Sequence, residues 1–159
     1  MAKTNNSEIT LKEISSENFW PVIKLKVRED QGTFVASNAI SIAEASFTQE
    51  SWFRAIYADA DPVGFVMLYL DESTPEYSLW RYMIDKDHQG KGYGIQAMKI
   101  VINYIRDLPG AKEFFLSYVP ADGDPSPFYQ KLGFIETGEW DDDEKIMKLI
   151  LDDADRKQI

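Results

Sequence analysis

The chain contains no cysteine and only one histidine, His88, among its 159 residues. Without cysteine it can form neither a disulfide framework nor a thiolate metal site. Long apolar runs are missing too: none approaches the ~18 residues that suggest a membrane span. Met1-Ala2-Lys3-Thr4-Asn5-Asn6-Ser7 is polar and lacks the apolar core of a signal peptide. Positive charge is scarce, with 17 basic residues against 27 acidic ones and a formal net charge of −10. A field of that sign repels nucleic-acid phosphate and anionic membrane surfaces, and it attracts cations. The bland alternative is that acidity serves solubility alone. These absences predict a cytoplasmic protein with no nucleic-acid partner, no membrane partner and no metal.

What remains is ordinary for a globular protein, 44% hydrophobic and 28% charged. The length suits one domain over 1–159, with residues 1–6 and 153–159 expected as flexible tails. Ile9 to Ile14 alternates like a half-buried strand, and Ser15, Ser16 and Asn18 offer caps for a helix over Phe19–Leu25. A short helix is expected over Ile42–Ser46 and a strand over Trp52–Ala58, followed by a turn at Asp59-Ala60-Asp61-Pro62. Val63 to Leu70 is apolar at nearly every position, as in a central strand covered on both faces. Tyr77–Ile84 is a further strand, and its imperfect alternation suggests a bulge. Ile95, Met98, Val101, Ile102, Ile105 and Leu108 form one stripe on a helix of about four turns. A strand over Phe114–Val119, a short helix through Phe128, Tyr129 and Leu132, and a hairpin from Phe134 to Leu151 complete the chain. The fold class expected is α/β (α+β), with a mixed, mostly antiparallel sheet and helices on both faces.

Gly90, Gly92 and Gly94 alternate between a strand and an amphipathic helix. Glycine permits positive φ and close approach of a ligand to the backbone. Successive N–H groups there make a concave nest, and the helix N-terminus adds partial positive charge. The turn therefore suits a pyrophosphate, with Lys91 as an extra counter-charge; a plain glycine-rich turn is the alternative. Two rival motifs fail on spacing. A Walker A loop needs Gly-Lys-Ser/Thr, but Lys91 precedes Gly92; the dinucleotide fingerprint G-x-G-x-x-G fails because the third glycine comes one residue early.

Gln89-x-x-Gly92-x-Gly94, followed at a fitting distance by Tyr129-Gln130-Lys131-Leu132-Gly133-Phe134, resembles the GNAT superfamily of N-acetyltransferases. The resemblance covers most of the chain. It implies the GNAT fold, with acetyl-coenzyme A as cosubstrate held where strands Tyr77–Ile84 and Phe114–Val119 part. It places the pantetheine on Tyr82, Met83 and Ile84. The pyrophosphate falls on Gln89, Gly90, Lys91, Gly92, Tyr93, Gly94 and Ile95. It implies that Tyr129 protonates the departing thiolate; packing on the cofactor without proton transfer is the alternative role. Many relatives carry a cofactor-binding asparagine seven residues before that tyrosine, and Asp122 stands there in this chain. The superfamily also implies a homodimer.

A closer likeness is to bacterial spermine/spermidine acetyltransferases. Its carriers are Phe34-Val35-Ala36-Ser37-Asn38-Ala39-Ile40-Ser41-Ile42-Ala43-Glu44-Ala45, Leu79-Trp80-Arg81-Tyr82-Met83-Ile84-Asp85 and Thr137-Gly138-Glu139. This likeness implies a polycationic small-molecule amine as acceptor; another amine (a protein N-terminus or lysine, an aminoglycoside, a small metabolite) or a non-catalytic coenzyme A-binding module are the alternatives. Polyamine nitrogens are protonated near neutral pH, so a site must bind a polycation and release one amine as free base. Glu29, Glu44, Asp85 and Glu139, with Asp30, are carboxylate candidates, though for each taken alone a solvated surface charge is the favoured reading. Trp80, with Tyr82, is a candidate wall of an amine channel that adds cation–π attraction; a place in the core, or packing against pantetheine, is the equal alternative. His88 is expected to face solvent. The acidic run Asp141-Asp142-Asp143-Glu144 lacks the ligand spacing of a calcium loop and reads as a solvated turn.

Overall fold

A computed structural model describes residues 6–31 and 36–151. The expected tails therefore fall almost entirely outside the described residues, as do Phe34 and Val35 of the polyamine-enzyme likeness. Seven strands form one sheet in the order β1-β2-β3-β4-β5-β7-β6. They are β1 Ile9–Lys12, β2 Ser51–Ala58, β3 Asp61–Asp71, β4 Glu76–Ile84, β5 Glu113–Tyr118, β6 Ile135–Asp141 and β7 Glu144–Ile150. Every neighbouring pair is antiparallel except β4–β5, which is parallel. Helices α1 Phe19–Ile23, α2 Asn38–Ala45, α3 Tyr93–Arg106 and α4 Ser126–Lys131 complete the mixed α/β architecture.

β3 shows why the sheet is central. Val63, Val66 and Leu68 belong to the core beneath α3, while Phe65 and Met67 belong to the core beneath α1 and α2. Val63 to Leu68 are all buried. Each such apolar side chain stabilises the fold by roughly 1.5–3 kcal/mol relative to exposure. The α3 stripe does what its period predicts: Met98, Val101, Ile102 and Ile105 are buried against the sheet. The helix ends at Arg106, short of the expected Leu108, which packs from the following loop.

Several boundaries differ from the sequence pattern for local reasons. β1 stops at Lys12, and Ile14 instead packs against the α1/α2-side core. α2 starts earlier than its apolar stretch because Ser37 accepts the Ile40 N–H at 3.3 Å as a cap. Asn38 is buried there and donates to the Val22 carbonyl at 2.9 Å, tying α2 to α1. Pro62 lies inside β3 rather than in the turn before it. A register shift between Ile56 and Tyr57 accommodates it, as strand prolines usually require.

Two irregularities position the site. Met67 pairs with Arg81 and Leu68 with Leu79, so Trp80 is an extra residue, a bulge in β4. Side chains that should alternate therefore change phase. Tyr77 and Leu79 join the α3-side core, Trp80 and Met83 pack on the opposite core, and Tyr82 and Ile84 return to the α3 side. The second irregularity is the β4–β5 pairing, a single register position, Ser78 with Phe115. Beyond it the two parallel strands part.

Candidate active site

The gap between β4 and β5 opens into a cleft of about 1160 Å³. It runs through the sheet, and residue parity assigns its lining to two mouths. On the α3 side stand Tyr82, Leu116, Tyr118, Phe128, Tyr129 and the glycine turn. On the other side stand Tyr69, Ser78, Trp80, Phe115, Ser117, Glu144 and Ile146.

The α3-side mouth is built largely from backbone. Gly90 and Gly92 have φ of 76° and 81°, a left-handed conformation in which a side chain is strained. α3 starts at Gly92 with no side-chain cap, and the first N–H groups of any helix lack partners within it. Gly94 lets α4 approach: a Cβ there would stand 3.3 Å from the Phe128 ring. A network behind the turn holds it in place. Gln89 donates to the Ile84 carbonyl and to Gln31, both at 2.9 Å. Tyr82 donates to the Gly94 carbonyl at 2.5 Å, fastening β4 to the first turn of α3. This uncapped left-handed turn is the kind of cradle that a diphosphate fits.

Of the cofactor candidates, Tyr82, Met83, Ile84, Gln89, Gly90, Gly92, Tyr93, Gly94 and Ile95 line the cleft. Lys91 does not; its ammonium lies 6.0 Å from the Tyr93 ring centroid, exposed. Asp122 is exposed and outside the lining, while Asp124, two residues on, lines it and accepts from the Ser126 N–H at 2.9 Å. Burial alone would raise the Asp124 carboxyl, but the Ser126 and Ala121 donors outweigh it and leave it below the usual carboxylate range.

Tyr129 is buried on α4, its ring 5.2 Å from Phe128 and 5.7 Å from Phe134, and it faces the cleft. Burial pushes its phenol far above the ordinary tyrosine range, so it carries its proton at any physiological pH. Tyr82 is raised as well, by burial first and then by the nearby Tyr129. Tyr118 is pushed up to about 12 by burial and by Glu136, which accepts its hydroxyl hydrogen bond.

The amine-side candidates are dispersed. Trp80 lines the cleft from the bulge. Glu44 lies on α2 outside the lining, where its carboxylate pairs with Arg81 at 3.3 Å. Arg81 itself lines the cleft and lies 5.8 Å from the Trp80 ring centroid. Glu29 and Glu139 are exposed and outside the lining, as is Asp30, which pairs with Arg28 at 3.4 Å. Asp85 is buried and its oxygens are used within the fold. They accept from the Lys26 N–H at 2.9 Å and the Asp87 N–H at 3.2 Å, and one lies 3.0 Å from His88 Nδ1. Burial raises the Asp85 carboxyl, but these donors together bring it below its usual value. His88 is thus half-buried and paired, not solvent-facing. The acidic hairpin is the exposed turn it was read as at Asp141, Asp142 and Asp143, but Asp141 and the half-buried Glu144 also border the cleft.

Among the described residues no group of three or more His, Cys, Asp or Glu could hold a metal ion, and no helix is long and apolar enough to cross a membrane.

A family model described as "Acetyltransferase (GNAT) family" matches residues 15–134. The chain is 30% identical over 146 residues to a probable spermine N(1)-acetyltransferase of Bacillus subtilis subsp. natto, covering 87% of this chain and 96% of that protein. It is 29% identical, with the same coverage, to the spermine/spermidine N(1)-acetyltransferase of Bacillus subtilis strain 168. A spermidine N-acetyltransferase from Vibrio cholerae, solved with CoA and spermine, shares the fold at a TM-score of 0.70 and 15% identity. That match covers 90% of this chain and 95% of that one.

Proposed function

Because this chain belongs to the acetyltransferase (GNAT) family and is an acetyl-coenzyme A-dependent N-acetyltransferase, we propose that its acceptor is a polyamine such as spermine or spermidine. The observation that carries this reading is the two-mouthed cleft. One mouth is a glycine cradle suited to an anion, and the other joins aromatic faces to carboxylates suited to a cation. The named activities of the two Bacillus relatives agree with it, as does the net charge of −10, which attracts polycations from a distance. A cytoplasmic place of action accompanies the reading.

Acetyl-coenzyme A supplies a thioester activated for acyl transfer. The backbone amides from Gly90 to Ile95 hold its diphosphate, and the splayed edge of β4 at Tyr82–Ile84 orients the pantetheine. The thioester then lies in the gap and the amine reaches it past Trp80. Direct attack forms the new C–N bond as the C–S bond breaks. Tyr129 gives its hydroxyl proton to the departing sulfur and recovers one from the amine's lost proton, by way of water. A phenol is a weak acid for this step, and its fixed position in a dry site compensates.

One assay tests the acceptor. The purified protein with acetyl-coenzyme A is offered spermine, spermidine, a lysine peptide and an aminoglycoside, and release of free thiol is followed. Polyamine turnover that weakens as salt screens the charge attraction is the expected result. Turnover of the peptide or the aminoglycoside alone overturns the polyamine assignment.

A further inference from the structure

Asp141 and Glu144, at the two ends of the exposed acidic turn, also stand at the edge of the amine-side mouth. The register explains how they come there. Phe114, Leu116 and Tyr118 of β5 face the α3-side core, so Phe115 and Ser117 face the other way. Met147 and Leu149 of β7 also face the α3 side, so Ile146 and Glu144 share the face of Ser117. Ser117 pairs with Ile146, and its Oγ donates to Glu144 Oε2 at 3.0 Å. This exposed bond directs one carboxylate oxygen toward the far wall of the cleft.

Glu144 also lacks a cation. Among the described residues, neither Glu144 nor Asp141 joins an ion pair. The nearby cations have other partners: Lys148 pairs with Glu113 at 3.0 Å, Arg81 with Glu44 at 3.3 Å, and Lys145 lies 5.5 Å from the Trp140 ring centroid. Between Glu144 and the β4 bulge the lining carries Ile146, Phe115 and Trp80, with Ser117 and Ser78 among them. Aliphatic and aromatic surface beside a half-buried glutamate suits a chain of methylenes ending in an ammonium.

We infer that Glu144, held by Ser117, is the specificity-determining seat for the distal ammonium of the acceptor, while the amine at the other end of the chain reacts beside Trp80. The inference rests on the polyamine reading and deepens it. The anchoring role thus passes to Glu144, because Glu44 is held by Arg81 while Glu29 and Glu139 lie outside the cleft.

The test compares spermidine with n-butylamine, which has a reacting amine but no second charge. Glu144→Gln should raise the spermidine KM about tenfold with kcat within about twofold, since a lost ground-state anchor removes uniform binding. The n-butylamine kcat/KM should stay within about twofold of wild type, because no ammonium reaches that wall. Glu144→Asp should recover part of the loss. Ser117→Ala should raise the spermidine KM about two- to fourfold by freeing the carboxylate. Unchanged acetyl-coenzyme A affinity by calorimetry verifies that each variant is folded. If Glu144→Gln leaves spermidine kinetics unaltered, or impairs both amines equally, the seat is refuted while the polyamine reading stands. If the wild-type protein does not turn over spermidine at all, both fall together.

Discussion

The two mouths of the cleft are made by different means. On the α3 side one continuous stretch, from β4 through Gly90–Gly94 into α3, provides a surface of main-chain groups. On the amine side the wall is assembled from side chains of β3, β4, β5 and β7, brought together only by sheet register. A backbone surface suits a feature that every acyl carrier of this type shares, its diphosphate. A side-chain surface can be altered one residue at a time, which suits the partner whose identity varies. The contrast separates the fixed chemical duty of the fold from its adjustable one.

Substitutions probe this contrast. The largest effect is expected at the junction of the mouths: Tyr129→Phe should lower kcat by about 10²-fold or more, as loss of a positioned acid does. Its acetyl-coenzyme A affinity, measured by calorimetry, should change little. Because burial raises the Tyr129 phenol, the neutral, proton-bearing form persists as pH rises past the ordinary tyrosine value. The wild-type kcat profile should then show no descending limb from this group between about pH 8 and about pH 10. A limb there that disappears in Tyr129→Phe would contradict the assigned role.

Gly92→Glu should damage the backbone mouth alone. A side chain at φ 81° costs about 1–2 kcal/mol, and its carboxylate repels the diphosphate. The acetyl-coenzyme A Kd should rise about 100-fold by calorimetry, and an unaltered Kd would break the backbone account. Gly64→Ala tests the support beneath that mouth. A Cβ at Gly64 would lie 2.4 Å from the Met83 carbonyl oxygen, so β3 and β4 must separate. A loss of about 1–3 kcal/mol is expected in denaturant unfolding. The smallest effect belongs to the amine side: Glu44→Gln removes a half-buried pair with Arg81 that lies outside the cleft lining on the glutamate side and should change the spermidine KM by less than about threefold. A larger change would return Glu44 to the acceptor wall.

The same division explains what could be read from sequence. The glycine turn, the buried run of β3 and the α3 stripe are local patterns, each contained in one segment, and all were legible. The bulge was legible as broken alternation in β4, though not as an insertion at Trp80. The amine wall was not legible. The facing of Glu144 depends on which way β5 and β7 present their side chains, and no segment alone encodes that pairing. Carboxylate type alone nominated Glu29 and Glu139, which the fold turns to solvent, and Asp85, which it uses to brace the loop around His88. Asp124 was missed because a position count from Tyr129 selects Asp122, whereas the start of α4 is held by Asp124.

Trp80, the extra residue of β4, has a consequence for how this chain could vary. If β4 alternated strictly through Trp80 with every residue kept, Tyr82 would fall on the opposite side of the sheet, away from Gly94 and the first turn of α3. Substitutions that leave the bulge in place keep each mouth's side chains where they are, whereas straightening this strand at constant length would turn Tyr82 and the residues after it to the other face. The phase of a single strand, more than the chemistry of any one side chain, sets which residues each mouth of the cleft receives.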